Sequence, residues 1–205
     1  MTTPPTESTH LFEARDLRGA MLGPLSLAMD AGECVTLAGP SGAGKSQLLR
    51  ALADLDPREG SVCLQGVVRE RMPPTQWRRQ VGYLPADSAW WADTVGEHLP
   101  EGGDAWLQRL GFDAEVREWS VERLSSGERA RLALVRLLMN TPRVLLLDEP
   151  TANLDNDNTR RVEALIRDYL REHAAACLWV SHDPEQRKRL GGRMLHIRDG
   201  RLLAS

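Results

Sequence analysis

Residues 39–46 read GPSGAGKS. The octet has the spacing G-x-x-x-x-G-K-[ST], in which glycines let successive backbone N–H groups face one anion while the helix that follows adds its positive end. Its flanks agree. LSLAMDAGECVTLAG (25–39) reads as two strand segments around Asp30-Ala31-Gly32, the second running into the glycines. SQLLRALADL (46–55) carries apolar residues at 48, 49, 52 and 55, the spacing of a helix. Strand, glycine turn and helix in that order make a phosphate cradle; a glycine-rich turn that binds nothing is the bland alternative. Gly39, Gly42 and Gly44 supply the turn, Lys45 is placed to reach β- and γ-phosphates, and Ser46 to ligate Mg²⁺. Pro40, Ser41, Ala43 and Gln47 complete the expected nucleotide-binding stretch.

A metal on a triphosphate needs a second anchor. VLLLDE (144–149) offers one about a hundred residues on: a continuous apolar run, as in a strand buried on both faces of a parallel sheet, ends in Asp148. Asp148 can bind Mg²⁺ directly or through water. Glu149 follows, and a carboxylate there can polarise a water for in-line attack on the γ-phosphate.

Further out the pattern alternates. SVCLQGVV (61–68) and QVGYL (80–84) read as short strands, and RARLALVRLLMN (129–140) and TRRVEALIRDYLREH (159–173) as amphipathic helices. ACLWV (176–180) reads as a buried strand and MLHIRDGRLL as a hairpin around Asp199-Gly200. Residues 92–123 are polar and helix-prone, with Trp106, Leu107 and Leu110 on one face. The expectation is a single α/β domain over 1–205, with a loose tail over 1–9 and a helical insertion over about 87–140.

Bulk properties exclude several classes. The 26 basic residues are matched by 29 acidic ones without a basic block, so no nucleic-acid partner is expected. Cys34, Cys63 and Cys177 are odd in number and widely spaced, which argues against a disulfide framework or a zinc site. The start MTTPPTESTH lacks a basic, apolar leader, and nowhere do enough apolar residues run together to span a bilayer. A cytoplasmic protein follows, reaching a membrane only through another chain.

LSSGERARLALVRLLMN (124–140) narrows the reading. Ser125 and Glu128 have the spacing of a capping box, so a helix begins here with free N–H groups at a tip that prefers an anion. Shortly before VLLLDEPTANLD, this stretch resembles the LSGGQ signature of ATP-binding cassette (ABC) ATPases, with Ser126 for the first Gly and Glu128 for Gln. The resemblance covers about residues 11–203. It implies a P-loop NTPase (RecA-like) core with the inserted helical subdomain typical of ABC ATPases, and Mg-dependent ATP hydrolysis. In these terms GPSGAGKS is the Walker A loop, VLLLDE is Walker B with catalytic Glu149, ANLD ending at Asp155 is the D-loop, and His182 in WVSHD is the switch histidine. LWVSHD and DTVGEHL point further, to ATP-binding subunits related to a bacterial iron-exporting system.

The resemblance also implies partners. Two subunits would sandwich two ATP molecules, each triphosphate lying between one copy's Walker A and the other's signature (Leu124, Ser125, Ser126, Gly127, Glu128). The cycle would drive a separate membrane permease, placing the chain at the inner face of the cell membrane; a regulatory or assembly ATPase without transport is the alternative.

Two features depart from the family pattern, and a third is placed by it. Ala86 stands where the Q-loop glutamine should follow YLP, with Asp87 the nearest replacement, so slower or differently coupled hydrolysis is expected. No aromatic precedes Lys45 except Phe12, leaving Arg18 or Gly19 at the adenine position and predicting that GTP competes with ATP. Finally, Trp90-Trp91 follow the Q-loop where such ATPases receive a coupling helix: one or both pack under the insertion, or at least one lines the docking groove.

Overall fold

Side chains that alternate between two faces of a buried strand demand a packed layer on each side. The computed structural model, which describes residues 10–204, has that arrangement; the tail expected over 1–9 lies outside the described residues. The first half of the chain forms β1 (Phe12–Gly19), β2 (Leu22–Met29), β3 (Cys34–Ala38), α1 (Lys45–Leu52), β4 (Glu59–Leu64), β5 (Val67–Val68), α2 (Pro74–Gln80) and β6 (Val81–Leu84). The second forms α3 (Asp104–Arg109), α4 (Ser126–Leu138), β7 (Val144–Asp148), α5 (Asn156–Glu172), β8 (Ala176–Val180), α6 (Pro184–Leu190), β9 (Met194–Arg198) and β10 (Arg201–Ala204).

One sheet has the order β10-β9-β3-β8-β7-β6, parallel except for the terminal β9–β10 hairpin. It is the wall between two cores. Val144 and Leu146 face one core while Leu145 and Leu147 face the other. β8 divides in the same way, Ala176, Leu178 and Val180 against Cys177 and Trp179. The first core is closed by α1 and the antiparallel sheet β2-β1-β4-β5, and the second by α4, α5 and the apolar residues of the 92–123 segment.

Several expectations need correction. The second sheet is not evident in the sequence pattern: β2 and β3, adjacent across the Asp30–Gly32 turn, enter different sheets. SVCLQGVV is two strands, because Gln65 and Gly66 both take positive φ (50° and 75°) and close a tight hairpin. The segment 92–123 is mostly loop and short 3-10 turns, with six-residue α3 its one α-helix among the described residues. Gly102 and Gly103 sit at positive φ before α3 and Gly111 after it, which stops the helix at both ends. β1, α2 and α6 are further elements that the sequence reading does not separate.

Candidate functional site

β3 delivers Gly39 to the edge of the parallel sheet, and α1 begins at Lys45. Two glycines there are required by geometry. A Cβ on Gly39 would stand 2.4 Å from the Ile197 carbonyl oxygen on neighbouring β9, and Gly44 caps α1 with φ at 99°. The loop thus lies against the C-terminal hairpin with its helix N-terminus open. Pro40, Ser41 and Gly42 are exposed, Ala43, Gly44 and Lys45 buried, and Ser46 and Gln47 half-buried. Lys45 Nζ donates to the carbonyls of Gly39 and Pro40, each at 2.9 Å, so the ammonium folds back over the loop it serves. Gln47 Nε2 lies 3.6 Å from Met21 Sδ, bringing the exposed β1–β2 turn beside the loop. Near that turn a cleft holds Arg18, Gly19 and Ala20 opposite Pro57, Arg58 and Glu59.

β7 delivers the two acids. Asp148 is buried, and Tyr83 on neighbouring β6 donates its hydroxyl to Asp148 Oδ2 at 3.3 Å. Burial first, then the Asp148 charge, pushes the Tyr83 phenol up to about 12, so it remains a donor at neutral pH. Among the described residues the buried Asp148 carboxylate bonds one neutral hydroxyl, and the half-buried Ser46 lies in the first turn of α1 beside the loop; oxygen donors of this kind suit a hard divalent cation, and on this ground they fit Mg²⁺. Glu149 turns out of the strand with φ at 51°, a conformation costly for a non-glycine residue and concentrated at functional sites. The turn brings it to His182, whose Nε2 stands 2.9 Å from Glu149 Oε1.

The expected signature forms a helix tip. Ser125 caps α4: its backbone N–H and its hydroxyl donate to Glu128 Oε2 at 2.9 and 2.7 Å, and Glu128 N–H returns a bond to Ser125 Oγ at 3.3 Å. The Ser125 backbone bond, foremost, holds the Glu128 carboxyl below its ordinary range. Gly127 abuts the D-loop, since a Cβ there would lie 3.0 Å from the Asn153 carbonyl oxygen. Asp155 caps α5 and is lowered mainly by the Asn158 backbone N–H at 2.8 Å.

Within one chain these parts do not all converge. Leu124 and Ser126 share a cleft of about 260 Å³ with Ala86, Asp87, Ser88, Glu149 and Asn153, whereas none of residues 39–47 lines that cleft. The Ala86 methyl leaves space where a longer side chain would stand.

Sequence reasoning missed a buried network behind His182. Gln186 on α6 donates through Nε2 to Thr151 Oγ1 at 2.9 Å and to Glu163 Oε1 at 3.0 Å, while Ser181 Oγ donates to Gln186 Oε1 at 2.7 Å. Glu163, buried on α5, is neutralised by Arg189 at 2.8 Å. One amide therefore joins the loop after Glu149 to the residue before His182. No motif marks Gln186; only its bonds to Thr151, to Ser181 after β8 and to Glu163 on α5 show it.

Trp90 is half-buried against the second core, and Trp91 is 73% exposed. Trp90 thus packs under the insertion, the first of the two expected alternatives, and Trp91 is exposed beside it.

Comparison with known proteins places these features. Residues 22–152 match the family described as "ABC transporter". The chain is 34% identical over 179 residues to the probable iron export ATP-binding protein FetA of Escherichia coli, covering 81% of this chain and 80% of FetA. It is 36% identical to the lipoprotein-releasing system ATP-binding protein LolD of Maricaulis maris, covering 96% and 93% of the two chains. A solved ATP binding subunit of an ABC transporter superposes with a TM-score of 0.85 at 22% identity, covering 95% of this chain and 88% of that one. The chain belongs to the ABC transporter family, as a P-loop ATPase of the ATP-binding cassette type.

Proposed function

We propose that this chain is the ATP-hydrolysing subunit of a transporter whose membrane-spanning permease is a separate polypeptide. Among the described residues no helix is long and apolar enough to cross a membrane; a separate permease is supported by FetA and LolD, which carry the name ATP-binding protein and of which this chain covers 80% and 93%. The observation that carries the mechanism is the separation of two anion sites on one protomer. The phosphate loop ends at the N-terminus of α1, the signature tip at the N-terminus of α4, and the signature cleft excludes residues 39–47. A second copy, turned head to tail, lets its Ser125–Glu128 tip close over the loop of the first.

In that composite site the backbone N–H groups of residues 39–46 hold the phosphates, and Lys45 exchanges its two carbonyl acceptors for phosphate oxygens. Ser46 and Asp148 would hold Mg²⁺, which supplies neutralisation of the triphosphate charge. Glu149 accepts a proton from the attacking water, and His182, already 2.9 Å away, fixes that carboxylate and is placed to meet the γ-phosphate. Arg18 lies in the cleft that receives the base, a planar cation stacking on either purine. Trp91, and Trp90 at its edge, offer the permease an aromatic anchor at the margin of the insertion. The working place is then the inner face of the cell membrane.

Phosphate release by the purified chain tests the ATPase part: Glu149→Gln is expected to lower it by about 10²–10⁴-fold while nucleotide binding persists. The transport part is tested by affinity isolation from solubilised membranes of the native host. A multispanning protein recovered stoichiometrically supports it; recovery of only non-spanning partners replaces transport by regulation or assembly.

A further inference from the structure

Arg136 lies on α4, the helix that begins at the signature tip, and its guanidinium extends between the two adjacent tryptophans. Its central carbon stands 4.8 Å from the Trp90 ring centroid and 4.9 Å from that of Trp91. Both rings also meet His98 edge-on, at 4.7 and 4.5 Å. Nη2 donates to the Ala89 carbonyl at 3.1 Å and Nη1 lies 3.4 Å from His98 Nδ1. Arg136 is half-buried, yet no carboxylate approaches within 4.0 Å of it among the described residues. Arg69, Arg109 and Arg117 pair with Asp54, Asp168 and Asp104, while the half-buried Arg129, Arg131, Arg143 and Arg187 donate to carbonyl or amide oxygens; what sets Arg136 apart is its place against an exposed ring, that of Trp91.

A desolvated cation without a counter-ion is costly unless a complex supplies one. Burial alone, with no offsetting acid, holds the Arg136 guanidinium below its ordinary range. Trp90 Nε1 is likewise buried without an acceptor. Beside these, Trp91 exposes a large ring whose orientation is set by His98 and Arg136, so little side-chain freedom remains to be lost on binding.

We propose that Trp90, Trp91 and Arg136 form a clamp for one acidic side chain, Asp or Glu, carried on an apolar segment of the permease. The proposal rests on the permease-coupled reading above and names the chemistry of its contact. The segment's apolar face covers Trp91, and its carboxylate enters a charge-assisted pair with the half-buried Arg136, which that cover shields further from water. A protein segment fits better than an anionic lipid surface. Asp87, Asp93 and Glu97, close in sequence to Trp90, Trp91 and His98, are exposed and repel a spread negative surface, whereas a single carboxylate beside the rings meets the cation.

The test replaces Trp91 in the full chain by the photo-crosslinking residue p-benzoylphenylalanine, irradiates it with membranes of the native host, and sequences the crosslinked peptide. The expected attachment is a non-spanning segment of a multispanning protein, with Asp or Glu within one helical turn. Arg136→Met should then weaken the complex by about tenfold or more, Arg136→Lys by less. Arg136→Glu should regain binding when the mapped acid is changed to Arg. Should Arg136→Met fail to fold, neutralising the mapped acid against the unaltered chain gives the same comparison. Attachment to a segment without an acid, attachment to lipid, or undiminished binding by both neutralised partners overturns the clamp. Attachment to an acid-bearing protein without membrane spans upholds the clamp and overturns the permease reading.

Discussion

At the scale of single residues, Ala86 and Gln186 carry the sharpest expectations. Ala86 faces the cleft shared by Glu149, Asp87 and the signature serine Ser126, and a methyl group there contributes neither donor nor acceptor. Ala86→Gln fills that space with an amide, and steady-state assays across a Mg²⁺ titration should show faster hydrolysis with an altered metal dependence; identical curves remove Ala86 as a determinant of rate. Gln186 joins Thr151, Ser181 and Glu163, all sheltered. Gln186→Leu takes the Gln186 bond from Thr151 Oγ1 and one partner each from Ser181 Oγ and Glu163 Oε1, which keep Asp183 N–H and Arg189, at a cost of about 1–3 kcal/mol in denaturant unfolding. As a positioning residue acting through Ser181 and His182, it should lower kcat with little change in KM, and Gln186→Glu should not restore the rate. The paired acids were legible because a buried strand that ends in one carboxylate and is followed at once by another is a local pattern. Gln186 and Tyr83 were not, because burial and partners 35 and 23 residues away for the first and 65 for the second give a side chain its role without leaving a mark on neighbouring letters.

At the scale of elements, α4 depends on its first turn. Ser125→Ala removes the cap on Glu128 N–H and is expected to cost about 1 kcal/mol in thermal or urea unfolding. The same cap makes the helix acid-sensitive. Because folding lowers the Glu128 carboxyl below its free value near 4.3, this contribution is complete above that pH and fades as pH falls through the lower folded value. Glu128→Gln should therefore flatten the acid limb of the stability curve relative to the unaltered chain. The phosphate loop is constrained otherwise: Gly39→Ala drives a methyl into the Ile197 carbonyl, so β9 must shift and nucleotide binding should fall with it, as calorimetry would show. Capping box, glycine octet and Asp-Gly hairpin were readable since each specifies backbone geometry within a few residues. The split of 61–68 into β4 and β5 was not, as Gln65 takes positive φ without being a typical turn residue.

At the scale of the whole molecule, the separated anion sites predict that Glu149→Gln dimerises with ATP and dissociates without it, which sedimentation would follow; a chain that stays monomeric at saturating ATP contradicts the head-to-tail pairing. The cleft beside Arg18, proposed to receive the base and lined by no aromatic ring, predicts that GTP competes with ATP; a preference for ATP beyond about a hundredfold, some 2.7 kcal/mol, rejects it. The sequence by itself determined the phosphate loop, the paired carboxylates, the capped signature helix and the alternation that makes an α/β core. Each is encoded by neighbouring residues whose spacing fixes backbone conformation. The tertiary structure alone decided that β2 and β3 part into different sheets, that Glu149 turns onto His182, that Gln186 links the two flanking loops, and that Arg136 lies uncompensated between Trp90 and Trp91. Those outcomes follow from which surfaces meet once apolar faces are buried, and contact between residues far apart in the chain has no local signature.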